Sequence, residues 1–289
     1  MYLKKNIAND PPLEKNGRKL VWHDEFEKPN IDMKKWCFIR SMDRPGAVYD
    51  NSEKNVRIED NKLLMQVHKC GDTYTLPEGF STKFTMNFKY GYLEMRAKIP
   101  FKHAAWPSFW MKTDTPFRKK EVPQFAEIDI FEVFSSPDKV VHNLHKWKRP
   151  GLHVMLPGGE GNNSRAYTFE NPENLNNEYH IYGLEWDEKF MKFYIDDNCY
   201  ATVPIDESGN FGSDVIDGIE DFHDYAYPMM NNEYFSEGAW HPQGCVISDD
   251  DDLPFDYYID WVRLYQNSDK ESIRFEDEIK AAYERLTEK

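Results

Sequence analysis

The chain has 289 residues, of which 36 are Lys or Arg and 51 are Asp or Glu, so its formal net charge is −15. This acidic balance disfavours binding to nucleic acid or to an anionic membrane, because both kinds of binding depend largely on Lys and Arg. Aromatic residues make up 15% of the chain, which fits either a large aromatic core or a cleft whose flat rings stack on sugars.

The sequence divides into three parts. Residues 1–18 are polar and are typical of a loose lead-in. From 19 to 266, short segments such as 62–67 and 92–99 alternate apolar with polar residues, and turn residues separate them. Many short runs of period two predict one antiparallel β-sandwich or barrel domain, with a hairpin around Asp197 and Asn198.

The third part, 267–289, has a different pattern. Its apolar residues recur at helical spacing, and they are Phe275, Ile279, Ala282, Tyr283 and Leu286. We therefore expect a C-terminal amphipathic helix that packs on the outside of the sandwich. The start of the chain lacks the apolar stretch of a signal peptide, and no apolar run is long enough to span a bilayer. The four cysteines contain no C-x-x-C pair, so a zinc or redox motif is not indicated.

Three acidic residues lie close together in the segment F-A-E-I-D-I-F-E-V-F at 125–134. On a regular strand, Glu127 and Asp129 point to one face, whereas Glu132 would point to the opposite face and into the core. A buried unpaired carboxylate is costly. Either the strand ends at Phe131, or a β-bulge adds one residue and returns Glu132 to the face of Glu127.

Three carboxylates on one face would suit the hydrolysis of a glycosidic bond with retention of configuration. That reaction needs one ionised carboxylate as nucleophile and a second, protonated carboxyl group close by as the acid. Like charges packed together raise one pKa and so supply the protonated group, while a middle Asp can share a proton with the nucleophile. By itself, however, an E-x-D-x-x-E pattern is most often the solvated face of a half-exposed strand.

The surrounding segments make the interpretation more specific. Six blocks occur in the order known from family 16 of the glycoside hydrolases, which includes laminarinases, lichenases, agarases and carrageenases. They are K-L-V-W-H-D-E-F at 19–26 with K-W at 35–36, F-S-T-K at 80–83 with K-Y-G-Y-L-E-M-R-A-K-I-P at 89–100, W-P-S-F-W at 106–110, E-I-D-I-F-E at 127–132, Y-G-L-E-W at 182–186, and Y-I-D-W-V-R-L-Y-Q at 258–266. The chain resembles this family over about 19–266.

The resemblance implies a concanavalin A-like β-jelly roll of two antiparallel sheets with an open cleft. Carried over by position, it implies that Glu127 is the nucleophile, Asp129 its assistant and Glu132 the general acid/base. The spacing resembles the family branch whose strand carries a bulge, which includes laminarinases and the algal galactanases, rather than the shorter E-x-D-x-E of lichenases.

Several aromatic and polar residues are candidates for substrate binding, each with core packing or a surface position as the alternative: Trp106, Trp110, His145, Trp147, Glu185 and Trp240. Trp106 and Trp110 share a face by period two, and a strand beginning near Val140 would place His145 and Trp147 beside the acids. Alternation leaves open whether Glu185 or its neighbour Trp186 faces the cleft.

Asp260 resembles the residue that binds a structural calcium in many relatives, with a strand-capping surface Asp as the alternative. The acidic run 249–252 is expected to be a solvated loop rather than a metal site. We expect catalysis without a cofactor.

These observations predict a monomeric retaining endo-β-glycanase whose partner is a polysaccharide or oligosaccharide, with β-1,3- or mixed-linkage β-glucan as the first expectation for the substrate. An endo-galactanase of the same fold is the alternative, because 40–45 and 142–149 differ from the laminarinase pattern. A non-catalytic sugar-binding jelly roll is disfavoured, since all three acids are present. A transglycosylase stays open, as does the location: secreted with its leader removed, or cytoplasmic.

Overall fold

The computed structural model describes residues 11–40, 46–113, 124–133, 139–148, 152–154, 164–170, 175, 178–205, 221–239, 241–267, 269 and 271–287. The described chain is almost entirely β-structure. Its elements, in chain order, are β1 (Glu14–Lys15), β2 (Arg18–Asp24), β3 (Cys37–Ile39), β4 (Ala47–Tyr49), β5 (Val56–Glu59), β6 (Lys62–Cys70), β7 (Thr73–Leu76), β8 (Gly79–Ser81), β9 (Met86–Lys89), β10 (Gly91–Lys98), β11 (Ala105–Lys112), β12 (Gln124–Glu132), β13 (Lys139–Lys148), β14 (Leu152–Val154), β15 (Ser164–Glu170), β16 (His180–Trp186), β17 (Phe190–Ile195), β18 (Asn198–Pro204), a 3-10 turn (Asp221–His223), β19 (Tyr227–Tyr234), β20 (Phe255–Gln266), β21 (Ser272–Phe275) and α1 (Glu276–Thr287).

Two large sheets form the fold. The first sheet has the strand order β18-β17-β16-β10-β20-β6-β7-β4, with β2 on β20, β1 on β2 and β5 on β6. The second sheet has the order β14-β13-β12-β11-β19-β8-β3, with β15 on β13. Among the described strand pairs, all are antiparallel except β4 with β7. This confirms the predicted antiparallel sandwich.

The core lies between the two sheets, because each contributes alternate apolar side chains to one continuous cluster. The first sheet supplies Leu93 and Leu184, and the second supplies Phe109, Ile128 and others, all essentially inaccessible to solvent. Residues of the second sheet with the opposite parity therefore lie on its other face. We call this the open face, and it includes the side chains on the far side of β11, β12 and β13.

The predicted hairpin is present, one residue earlier than expected. β17 and β18 pair directly, and the two residues between them, Asp196 and Asp197, have positive φ angles of 48° and 64°. Two consecutive positive φ values are the geometry of a tight turn that matches the twist of the flanking strands. Asp tolerates this conformation better than most residues other than glycine.

The C-terminal helix begins later than the predicted 267–289 segment. β21 first pairs with β9, so these residues are held extended before α1 starts at Glu276. Glu278 accepts a hydrogen bond from the backbone N–H of Phe275 at 3.1 Å, which caps the first turn. Of the predicted apolar stripe, Ile279 is buried whereas Phe275 and Tyr283 are 45% and 47% exposed. In the described part of the chain, no helix has both the length and the apolar character needed to cross a membrane.

Candidate active site

A β-bulge in β12 brings the three acids to one face. On one side, Trp110 pairs with Asp129 and Phe109 with Phe131, which leaves Ile130 as the extra residue. The pairing with β13 is interrupted over the same stretch, between Asp129 and Glu132. The predicted bulge is therefore present, and regular alternation resumes with the opposite parity after it.

The bulge also serves the core. Two consecutive side chains, Ile130 and Phe131, are both fully buried between the sheets. The ring of Phe131 lies 4.5 Å from that of Tyr182 on the first sheet. Because both residues turn inward, Glu132 returns to the open face beside Ser108, its partner on β11. Apolar burial and placement of the third acid are thus consequences of the same extra residue.

Burial and mutual repulsion shift the protonation of two of the acids. Burial, and then the negative charge of Glu127, raises the pKa of Asp129 well above its usual value. Burial, and then the charge of Asp129, likewise raises the pKa of Glu132 well above its usual value, while His145 and Trp106 act in the opposite direction. The row of acids therefore retains protons at pH values where isolated carboxyl groups have lost them.

Glu132 is held from β11. The indole Nε1 of Trp106 donates a hydrogen bond of 2.9 Å to Oε1 of Glu132. The indole itself stacks on Phe235, with ring centroids 4.6 Å apart and an interplanar angle of 16°. Trp106 remains partly exposed on the open face. It is therefore positioned both to orient Glu132 and to present aromatic surface beside it.

The strand on the other side, β13, supplies His145. Its Nε2 lies 3.2 Å from Oδ2 of Asp129 and 3.9 Å from Oε1 of Glu127. Trp147, two residues on, shares the open face, and its ring lies 5.9 Å from that of His145 and is stacked on that of Phe125 at 6.5 Å. The structure thus brings the predicted His145 and Trp147 to the acids.

Trp110 forms the floor of the open face next to Asp129. It is only 7% exposed and packs with Tyr227 and Met229 of β19. Its indole N–H donates to Oδ1 of Asn231 at 2.9 Å. This residue is therefore mainly a support within the face, which was one of the two alternatives that the sequence left open.

Two residues near the acids were not predicted. Lys112 ends β11 opposite Glu127, and its Nζ lies 3.8 Å from Oε2 of that acid. Asn231 fixes the indole of Trp110 from β19. Period two extended from Trp106 and Trp110 would have placed Lys112 on their face, whereas Asn231 lies 121 residues from Trp110 and has no local pattern to reveal it.

Glu185 is a correction to the sequence prediction. It lies on the first sheet and faces away from the core, because its neighbour Trp186 is fully buried. Its carboxylate contacts Arg18 at 3.1 Å, Lys192 at 3.3 Å and the hydroxyl of Tyr194 at 2.7 Å. Glu185 is thus part of an ion-pair network on the opposite side of the sandwich. Trp240, also predicted to bind substrate, lies outside the described residues.

Asp260 does not fit a calcium site. Its carboxylate forms a short ion pair with the guanidinium of Arg96 on the neighbouring strand. The guanidinium already supplies the positive charge that a cation would bring, and it occupies a carboxylate oxygen that calcium would need as a ligand. The expectation of a structural calcium at Asp260 is therefore not supported by its surroundings.

One group of side chains is compact enough to be considered for a metal ion. Ligand atoms of Glu127, Asp129 and His145 lie within 4.8 Å of one another. The ammonium group of Lys112 is close to the same carboxylate and would repel a divalent cation. The raised pKa of Asp129 also favours a proton on that residue rather than a metal. The trio therefore fits proton chemistry better than metal binding.

Comparisons with known proteins agree with this architecture. A family model described as beta-porphyranase A-D, GH16 domain, matches residues 21–267. The clotting factor G alpha subunit of Tachypleus tridentatus is 28% identical over 264 residues, which cover 88% of this chain but only 35% of that protein. The beta-glucanase of Rhodothermus marinus is 26% identical over 265 residues, covering 86% of this chain and 85% of that protein.

A solved structure also matches over nearly the whole chain. It belongs to endo-acting O-glycanases of the human gut microbiota that initiate mucin breakdown, and it has a TM-score of 0.67 and 25% identity, with 95% of this chain and 97% of that chain covered. The predicted jelly-roll sandwich and the predicted family are both confirmed. From the six sequence blocks, the two-sheet sandwich and the match over 21–267, the chain belongs to glycoside hydrolase family 16, through the domain described for beta-porphyranases A–D.

Proposed function

We propose that the protein is an endo-glycanase that hydrolyses internal β-glycosidic bonds of a polysaccharide with retention of configuration. The observation that carries this proposal is the bulge in β12, which lines up Glu127, Asp129 and Glu132 on the open face. Retaining hydrolysis requires two carboxyl groups on one side of the molecule, close together and in different protonation states. A family membership alone would not assign these roles to these residues.

In the first step, the ionised carboxylate of Glu127 attacks the anomeric carbon. The bond to the leaving oxygen breaks as Glu132 donates its proton to that oxygen, so that a covalent glycosyl ester forms on Glu127. The raised pKa of Glu132 supports the acid role, since it keeps the proton available near neutral pH. The hydrogen bond from Trp106 aims the carboxyl group and stabilises its charged form after proton transfer.

In the second step, Glu132 is ionised and takes a proton from water. The water oxygen attacks the anomeric carbon, the ester bond to Glu127 breaks, and two inversions give overall retention. Asp129 lies between the two acids, and burial keeps its pKa high. It can therefore share a proton with Glu127 as that residue changes from ester to carboxylate. A second sugar could take the place of water, which would give transglycosylation.

For the substrate, we propose a β-linked galactan. This choice is supported by the family model that spans the domain, which is described for beta-porphyranases. The second candidate is a β-1,3- or mixed-linkage β-glucan, favoured by the likeness to the beta-glucanase of Rhodothermus marinus. A panel of agarose, porphyran, carrageenan, laminarin and mixed-linkage glucan separates the two, because release of reducing ends is measured in the same way for each polymer.

The roles of the acids are tested by Glu127→Gln and Glu132→Gln. Each change removes one ionisable group while preserving size, and each should abolish release of reducing ends from the polymer that the wild type cleaves. Glu185→Gln is the matched control, since that acid lies on the opposite side of the sandwich, and it should retain wild-type activity. Full activity in either site variant would contradict the mechanism, and binding without cleavage by the wild type would favour a lectin-like role.

A further inference from the structure

Lys112 lies at the end of the row of acids. It faces Glu127 in register across β11 and β12, with its ammonium 3.8 Å from Oε2 of that residue and a side chain that is 20% exposed. Among the described residues, the other charged or titratable groups facing Glu127 are Asp129 on its own strand and His145 on β13. A permanent positive charge is therefore present at only one end of the row.

Aromatic rings hold this lysine in place. Its ammonium lies 4.5 Å from the ring centroid of Trp110 and 5.7 Å from that of Phe125. A cation over aromatic faces is attracted by their negative potential, which limits the freedom of an otherwise flexible side chain. The ring of Trp110 is itself fixed by its hydrogen bond to Asn231. The lysine is thus supported from below rather than extended into solvent.

The position of this charge affects the three acids unequally. Attraction between charges falls with distance, so Lys112 favours the ionised form of the nearest acid most strongly. Glu127 is that acid, whereas Glu132 lies at the far end beyond Asp129, where Trp106 holds it. The mechanism requires this same asymmetry, with a negative charge on the nucleophile and a proton on the acid.

We propose that Lys112 is a positioning residue that keeps the negative charge of the acidic row on Glu127 and leaves the proton with Asp129 and Glu132. This inference rests on the proposed function, since it concerns the protonation of the nucleophile before attack. Lys112 acts through Glu127 and needs no contact with the substrate. The aromatic support from Trp110 and Phe125 keeps the ammonium beside the carboxylate.

The test is the pH dependence of kcat/KM for Lys112→Met and Lys112→Arg on the polymer that the wild type cleaves. The acid limb reports ionisation of the nucleophile, so loss of the lysine charge should move that limb to higher pH by about one unit. KM should change little, and Lys112→Arg should restore the limb. Lys98→Met is the matched control, because Lys98 also lies over an aromatic ring, 4.7 Å from that of Tyr258, but on the first sheet.

Two results would overturn the inference: an acid limb in Lys112→Met that coincides with that of the wild type, or a rise in KM alone. The latter would make Lys112 a substrate-binding residue. Melting curves establish that each variant is folded, and Lys112→Gln replaces the Met variant if the latter is not. Failure of the proposed function has a different signature, since it would leave the wild type inactive on every polymer or Glu127→Gln fully active.

Discussion

The indole of Trp106 and the carboxyl group of Glu132 are joined by a hydrogen bond of 2.9 Å across β11 and β12. The bond exists only because the bulge returns Glu132 to the open face on which Trp106 lies. It favours the charged form of the carboxyl group and so partly opposes the rise in pKa that burial and Asp129 cause. The strength of the proposed acid is thus set by two opposing local effects.

Trp106→Phe should therefore move the basic limb of the kcat/KM profile to higher pH. The substitution keeps an aromatic ring against Phe235 but removes the N–H donor, so the pKa of Glu132 rises further. A hydrogen bond to a charged group is worth about 1.5 kcal/mol or more, which corresponds to a shift of about one pH unit. Steady-state kinetics across the pH range measure it, and an unchanged basic limb would show that the bond does not control the acid.

The raised pKa of Asp129 predicts a cost in stability at neutral pH. Because the folded chain keeps this proton at pH values where the unfolded chain has lost it, stability is greatest below the unfolded pKa and falls as pH rises through the folded pKa. Asp129→Asn removes that loss. Its melting temperature should exceed that of the wild type by several degrees at pH 7, and the difference should disappear near about pH 4.

Glu185→Gln is the control of opposite sign. Burial would raise the pKa of Glu185, but the hydrogen bond from Tyr194 and the charges of Lys192 and Arg18 outweigh it and lower the pKa. Its contribution to stability is therefore present above the unfolded pKa and is lost as pH falls. This variant should melt below the wild type at pH 7. If Asp129→Asn behaved in the same way, the pKa of Asp129 would not be raised.

The core side of the bulge predicts a large loss of stability for Phe131→Ala. The ring is fully buried against Tyr182, so its removal leaves a cavity between the sheets and should cost about 3–5 kcal/mol. Phe84→Ala is the control, because Phe84 is 55% exposed and its change should stay within about 0.5 kcal/mol. Urea unfolding measures both, and equal effects would indicate that Phe131 is not packed in the core.

The ion pair between Asp260 and Arg96 predicts that calcium does not stabilise this position. Treatment with EDTA should lower the melting temperature of the wild type and of Asp260→Asn equally or not at all, whereas Asp260→Asn itself should be destabilised because Arg96 loses its partner. A drop on chelation that occurs in the wild type and is absent from Asp260→Asn would establish a metal at Asp260. Differential scanning fluorimetry with and without added calcium is sufficient for this comparison.

Much of the fold followed from local patterns. Period-two alternation in short runs predicted the sandwich, and the five-residue offset between Glu127 and Glu132 predicted a bulge that the strand pairing contains. These predictions succeeded because each depends on neighbours along one strand. The later start of α1 was not predictable in this way, since it follows from the pairing of β21 with β9, far away in the sequence.

The limits for the site have the same origin. Alternation indicates that Glu185 and Trp186 lie on opposite faces, but only the packing of the two sheets decides that the tryptophan is inside. The partner of Asp260 lies 164 residues away, so the ion pair that excludes calcium left no local pattern. Lys112 was within reach of the alternation argument, but its meaning depends on Glu127 being its neighbour on β12.

The most direct test of the central claim is to identify the residue that becomes covalently bonded to the sugar. A 2-deoxy-2-fluoro glycoside of the accepted oligosaccharide slows the second step more than the first, so the glycosyl-enzyme accumulates and peptide mass spectrometry locates it. The account predicts one glycosyl group per chain, attached to Glu127. An adduct on Glu132, or complete turnover of the accepted substrate with no adduct on any carboxylate, would contradict it.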